Sequence, residues 1–210
     1  MIELTSAHDK FISKALERSD TARDIIGNHL PANIREHLDF STLAMVKDSF
    51  IDEKLKKYFS DKLFKINFLK NGWAYLYILF EHKSYPDMFS GYQVLKYKVR
   101  IWDQVIKEHE TKKKLAKENR KKGLTVSSVP HLENLPLIIP MVFYHGAQPW
   151  NIPLNFQSLI DESRPPCTNH FIPNFEYLLC DLSKYSDEEL IGTVHYQVTM
   201  LLLKYIFHED

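Results

Sequence analysis

The sequence predicts an α/β or α+β sandwich built on a mixed sheet, and three observations predict it. In residues 61–83 Ile66, Phe68 and the aromatic-rich run Trp73–Phe80 carry strand propensity on either side of a Lys70-Asn71-Gly72 turn, the pattern of a β-hairpin. From Phe89 to Ile106 the period lengthens to three- and four-residue steps, the mark of a long amphipathic helix. Two more strand-like runs, Leu137–Tyr144 and Phe175–Cys180, then precede a final helix. That order of hairpin, helix, strand, strand and helix implies a mixed sheet with helices packed on it.

The 210 residues, 44% hydrophobic and 13% aromatic, suffice for one sizeable packed domain. A single domain over 1–210 is expected in three parts. Residues 5–109 hold N-terminal helices, the hairpin and the long helix; 110–130 form a basic mobile connector; 131–210 hold the remaining strands and the C-terminal helix. Basic and acidic residues balance at 27 each, so no global field marks a polyanionic partner, although a local basic groove can still bind one. Cys167 and Cys180 form no CxxC and no metal-type spacing, which fits a reducing compartment. The N-terminus lacks the basic and apolar regions of a signal peptide, and the longest apolar run, Met200–Leu203, is too short for a bilayer. A soluble cytoplasmic protein with no membrane partner is the expectation.

Element by element, helices are expected over His8–Arg18 and Thr21–His29, with a break at Leu30-Pro31 and a short piece at Ile34–Leu38. Leu43–Val46 reads as a short strand. The hairpin turns at Lys70-Asn71-Gly72, and Pro86 to about His109 forms the long helix. Ser186-x-x-Glu189 has the form of a capping box opening a helix from Asp187 to Phe207.

The turn decides what chemistry the hairpin can do. A two-residue Asn71-Gly72 loop would pair residue i with 143 − i, mixing odd and even positions on one face. A three-residue loop with Gly72 left-handed would pair Leu69 with Trp73, so that i faces 142 − i and parity is kept. Phe64, Ile66, Phe68, Ala74, Leu76, Ile78 and Phe80 are all even, and register must keep that apolar set together. The three-residue loop is therefore expected, with odd positions Leu63 and Leu79 showing the second face partly covered. In that register Asp61 lies opposite Glu81, with Lys83 one step along and β-carbons of facing residues about 4.5–5.5 Å apart. Two carboxylates that close repel unless one is protonated or a cation lies between them. A hard divalent cation with several waters resolves the conflict, and the amine could orient a water or offset charge on a phosphate under attack. Spacing alone leaves a second reading open, a solvated strand exit with an ordinary surface ion pair.

A wider set of motifs bears on the choice. His8-Asp9-Lys10-Phe11, Ser60-Asp61, Phe80-Glu81-His82-Lys83-Ser84-Tyr85-Pro86-Asp87, Tyr97–Trp102 and Ile139–Gly146 followed by Pro149-Trp150 occur in this order. Together they resemble the recombination-promoting nuclease (Rpn) family, also described as transposase-like, within the PD-(D/E)XK nuclease superfamily. The likeness runs over residues 5–207. It implies a restriction-endonuclease-like α/β core with a mixed central sheet flanked by helices. It also implies a Mg²⁺-dependent (or Mn²⁺-dependent) DNA endonuclease linked to recombination or mobile elements. The superfamily motif falls on Asp61, Glu81 and Lys83, with Ser60 where the motif has proline; Asp61 and Glu81 would hold the metal. Gln93 and Tyr97, one turn apart on the helix, resemble a supporting pair in related nucleases, the alternative being a packed Tyr97 and a solvated Gln93. Asp9 is a further acidic candidate or a helix cap. His82 points away from Glu81 by strand alternation, and His145 reads as structural.

Lys112, Lys113, Lys114, Lys117, Arg120, Lys121 and Lys122 in the connector are candidates for DNA phosphate contacts, or simply a solvated run. No groove-reading helix or zinc module is present, so low sequence specificity is expected. A reading from another class is a catalytically idle nuclease-fold module for DNA binding or protein–protein assembly. The apolar face of the C-terminal helix suggests a homodimer or a partner there.

Overall fold

A computed structural model of the chain describes residues 11–12, 14–46, 62–81 and 85–206, with the side chains at 79–81 left aside. Five strands form one sheet in the order β1-β2-β3-β4-β5. They are β1 Leu38–Met45, β2 Lys62–Phe68, β3 Trp73–Glu81, β4 Leu137–Tyr144 and β5 Leu178–Asp181. The first three pair antiparallel as a meander, and β3-β4 and β4-β5 pair parallel. Among the described residues these helices accompany them: α1 Ser19–His29, α2 Ala32–Arg35, α3 Ser90–Lys121 and α4 Val194–Tyr205, with residues 11–12 and 14–16 also helical. The fold is the mixed α/β architecture expected, a five-stranded mixed sheet flanked by helices.

Strand alternation sorts the apolar residues into two cores. On one face Phe64, Ile66, Ala74, Leu76, Ile78, Met141 and Phe143 meet Ile25 and Ile26 of α1 and Tyr196, Met200 and Leu203 of α4. On the other, Leu63, Tyr75, Tyr77, Ile138, Val142 and Tyr144 meet Val94, Tyr97 and Ile101 of α3. The second face is thus covered in part, as the sequence suggested: Leu63, Tyr75 and Tyr77 are buried under α3, while Lys65 and Asn67 on the same face stay exposed.

The hairpin keeps the expected parity and the expected left-handed Gly72 (φ 89°) but not the expected register. Asn67 faces Trp73 and Lys62 faces Ile78, so the paired numbers sum to 140 instead of 142. The cause is a competing partner: the Leu69 N–H donates to the His37 carbonyl at 2.9 Å instead of pairing with Trp73. The loop widens to accommodate this, with the Phe68 N–H donating to the Gly72 carbonyl at 3.0 Å. β1 is longer than expected, because a bulge between Asp39 and Ala44 lets the ladder resume. There the Thr42 hydroxyl accepts from the Asn67 N–H at 2.9 Å.

Helix boundaries also differ: α2 covers Ala32–Arg35 where Ile34–Leu38 was expected, and α3 starts at Ser90, not Pro86. Residues 110–121, expected in a mobile connector, continue α3 without a break. Apolar periodicity fades there, but Lys, Glu, Arg and Ala are strong helix formers, and they extend a helix already nucleated where Val94, Tyr97 and Ile101 pack. The helix stops at a Schellman motif: Gly123 is left-handed (φ 77°), its N–H donates to Arg120, and the Leu124 N–H donates to Asn119. The Ser186/Glu189 box makes only its return bond, Ser186 N–H to Glu189 Oε2 at 2.8 Å. α4 starts instead after Gly192, where the Thr193 hydroxyl accepts from the Tyr196 N–H at 3.4 Å. Its outer face leaves Val194, Val198 and Leu202 exposed, the face expected to meet a second copy or a partner.

Beneath α4 lies a buried histidine with a measurable consequence. His29 is enclosed between Tyr185, whose hydroxyl is 3.1 Å from Nδ1, and Tyr196, whose hydroxyl is 3.3 Å from Nε2. Burial drives its pKa down from 6.5 to about 4, so the fold holds the neutral ring. Above pH 6.5 both folded and unfolded forms are neutral and nothing changes. Between pH 6.5 and 4 the unfolded chain takes up a proton that the folded one refuses. Stability should therefore fall with acid by roughly 3 kcal/mol over that window. Urea unfolding at pH 7 and pH 4.5 should show a steeper loss for the natural chain than for His29→Gln. Equal losses would remove His29 as the cause.

Candidate functional site

The three strands β3, β4 and β5 run in one direction and end on one edge of the sheet. Glu81 pairs with Tyr144, and Tyr144 pairs with Asp181, so one row crosses the carboxyl ends of all three. In open α/β sheets ligands bind outside the carboxyl ends of the strands. Two of the three runs close on a carboxylate, Leu79-Phe80-Glu81 and Leu179-Cys180-Asp181.

Of the residues singled out by sequence, Glu81 is the last residue of β3. Asp61, Lys83, His82 and Asp9 lie outside the described residues, as does the Glu81 side chain. The observed register removes the argument that set Asp61 directly opposite Glu81, since that pairing required the sum 142. Parity, and with it the sharing of one face by odd positions along the hairpin, survives the change because the shift is two residues.

Gln93 and Tyr97 do occupy one face of α3, in different surroundings. The Gln93 side-chain amide donates to Asp87 Oδ2 at 3.3 Å, while Asp87 Oδ1 accepts from the Phe89 N–H at 2.8 Å ahead of the helix. Gln93 also lines a groove of about 560 Å³ with Phe89, Tyr92, Lys96, Phe156 and Leu159. Tyr97 is buried and stacked on Tyr77, ring centres 4.9 Å apart. It fastens α3 to the strand that ends on Glu81. His145, directly after β4, is buried, in line with its structural reading.

Sequence reading missed Asp181. Its side chain is buried, with Oδ1 accepting from the Ser183 N–H at 3.1 Å and the Ser183 hydroxyl at 2.7 Å. Oδ2 lies 4.0 Å from Lys184 Nζ. The signal was available, an apolar run ending on a carboxylate as at Glu81. Its neighbour Cys180 has its thiol pKa pushed up by burial and then by the Asp181 charge, which makes it an inert core residue. Among the described residues no three His, Cys, Asp or Glu side chains stand together so as to hold a metal. No helix among them is long and apolar enough to cross a membrane.

The seven basic candidates have a definite place. Lys112, Lys113, Lys114, Lys117, Arg120 and Lys121 are exposed on the last three turns of α3, and Lys122 caps it. Lys113, Lys117, Arg120 and Lys121 line one cleft, whose other wall is Ser128 and Val129 of the returning chain.

The sheet and its edge define a mixed-sheet α/β protein with acidic residues at the carboxyl ends of its parallel strands. The chain belongs to the family described as "Putative transposase, YhgA-like", which matches residues 6–210. It is similar to recombination-promoting nuclease RpnD of Escherichia coli O157:H7, 29% identical over 209 residues, covering 98% of this chain and 70% of that one. It is also similar to recombination-promoting nuclease RpnC of E. coli strain K12, 27% identical over 207 residues, covering 98% of this chain and 60% of the relative. A third relative from strain K12, 25% identical with the same coverage, is named inactive recombination-promoting nuclease-like protein RpnE. The chain thus spans 60 to 70% of the length of these curated relatives. No solved structure matches it.

Proposed function

We propose that the chain is a metal-dependent DNA endonuclease of low sequence specificity, linked to recombination or mobile elements. The observation that carries this reading is β3 ending on Glu81 at the carboxyl edge of three strands, in a chain whose relatives are named recombination-promoting nucleases. Asp61, immediately before β2, and Glu81 are the carboxylates assigned to the metal. Two carboxylates with waters completing the shell form the donor set that Mg²⁺ or Mn²⁺ takes. The ion, when bound, supplies Lewis acidity toward a phosphoryl oxygen and lowers the pKa of a water. Lys83 places an ammonium beside the charge that builds on the phosphate oxygens. Gln93, tied to Asp87, and Tyr97, stacked on Tyr77, act in support by holding α3 in register with β3. Asp9 is assigned as a further acidic contributor. The basic end of α3 meets DNA phosphates, which requires no base readout.

One observation favours a second reading, a catalytically idle module for DNA binding or assembly: the relative RpnE is named inactive. Incubation with supercoiled plasmid separates the two. With Mg²⁺ or Mn²⁺ the chain should yield nicked and linear DNA, and with EDTA it should yield neither. Failure to cleave under any divalent ion would leave the idle module standing.

A further inference from the structure

Because residues 110–121 are helical, the charges along α3 fall into a pattern that a connector would not have. Positions 96, 100, 103, 107, 110, 114, 117 and 121 recur at alternating steps of four and three, and so lie on one line along the helix. They read Lys96, Arg100, Asp103, Lys107, Glu110, Lys114, Lys117 and Lys121, six cations against two anions. All are exposed except Arg100, which is half-buried, and none of the six cations belongs to an ion pair among the described residues. The opposite face of the helix is the one held to the sheet by Val94, Tyr97 and Ile101.

The line has a length and a direction. From Lys96 to Lys121 it runs ~37 Å at the rise of an α-helix, or about 11 base pairs of duplex at 3.4 Å each. It starts beside the carboxyl edge of the sheet, where α3 follows β3. It then runs back along the strands, as the Tyr97–Tyr77 stack and the bond from Trp102 Nε1 to the Pro136 carbonyl show. Beyond Val105 the helix gives no residue to either core; Ala116, the buried residue of that stretch, lines the cleft with Ser128 and Val129. Its last turns form an arm that carries charge past the sheet.

We propose that this outer face of α3 is a track for duplex DNA, gripping phosphates over about one helical turn to one side of the cut. The inference rests on the nuclease reading for the identity of the polyanion. It adds a flank requirement that the catalytic residues alone would not impose. An acidic protein segment is the lesser fit, because the cations of the line belong to no ion pair among the described residues and only Lys96, at its start, borders the apolar groove of Phe89, Tyr92, Phe156 and Leu159.

Fluorescence anisotropy of the full chain in EDTA tests the track without cleavage, using duplexes of about 8, 12, 16 and 24 base pairs, a length range set by the one-turn span. Per-site affinity should climb to between about 12 and 16 base pairs and then level. The triple variant Lys107→Glu/Lys114→Glu/Lys121→Glu should bind the longest duplex at least ~30-fold more weakly, with a salt slope shallower by about 3. The same reversal at Lys70, in the hairpin loop, should change neither. These side chains are exposed, so the variants should fold; circular dichroism verifies it. Unchanged affinity and salt slope in the triple variant would overturn the track, as would equal per-site affinity at every length or no duplex binding by the intact chain. Competition by poly-glutamate as strong as by duplex would reassign the face to acidic protein. Failure of the catalytic assignment shows separately, as plasmid cleavage that persists in Asp61→Ala.

Discussion

Alanine at Asp61 or at Glu81 is expected to lower divalent-ion-dependent plasmid nicking by at least about a hundredfold, because a metal ion contributes several kcal/mol to the transition state and each tenfold is about 1.4 kcal/mol. The two variants should fall together, since a site that loses either carboxylate loses the ion. Duplex binding in EDTA should persist in both, which separates lost chemistry from lost folding. Lys83→Ala should also cleave more slowly, and Lys83→Arg should recover part of the loss by restoring the charge. Persistent cleavage in either carboxylate variant would sink the assignment.

Tyr144→Ala is expected to cost about 3–5 kcal/mol of stability, the range for emptying a large aromatic site in a core. Tyr144 is 0% exposed, its ring meets Trp150 edge-on at 5.1 Å, and its hydroxyl donates to the Gln148 carbonyl at 2.6 Å. Its backbone also lies between Glu81 and Asp181 in the row at the sheet edge. Collapse around the missing ring would therefore disturb the position of Glu81 and slow cleavage even where the chain still folds. Tyr144→Phe keeps the ring and loses one hydrogen bond, which should cost about 1 kcal/mol. Urea midpoints measure both. An alanine variant within about 1 kcal/mol of the natural chain would mean that the second core does not depend on this ring.

The fold was legible wherever one element's own periodicity decided it. Even residues on the hairpin and the run Leu137–Tyr144 declared their strands; the three- and four-residue steps of Phe89, Tyr92, Leu95, Val99, Trp102, Val105 and Ile106 declared α3 but not its buried face, since Phe89, Tyr92, Val99 and Ile106 are exposed and Val94, Tyr97 and Ile101 pack on the sheet. Errors came where a distant group competed for a local one. The hairpin register moved because His37, outside the hairpin, took the Leu69 N–H. α3 outran its apolar pattern because helix propensity and a Schellman stop, not burial, fixed its end. At the site, Glu81 could be found from its own strand. Asp181 gained meaning only once β4 was seen to join β5 to β3, a pairing that no local pattern encodes.

The order of the sheet also bears on how the molecule assembles. Paired residues in the β2-β3 hairpin are at most 16 positions apart, as for Lys62 and Ile78, so little chain entropy is lost in closing it. The parallel β3-β4 pairing joins residues 63 positions apart, as for Glu81 and Tyr144, and needs α3 already formed between them. Contacts so distant along the chain are slow to form and are made late in folding. The end of β3 that carries Glu81 therefore gains its neighbour slowly, and until β4 is in place the row of Glu81, Tyr144 and Asp181 does not exist.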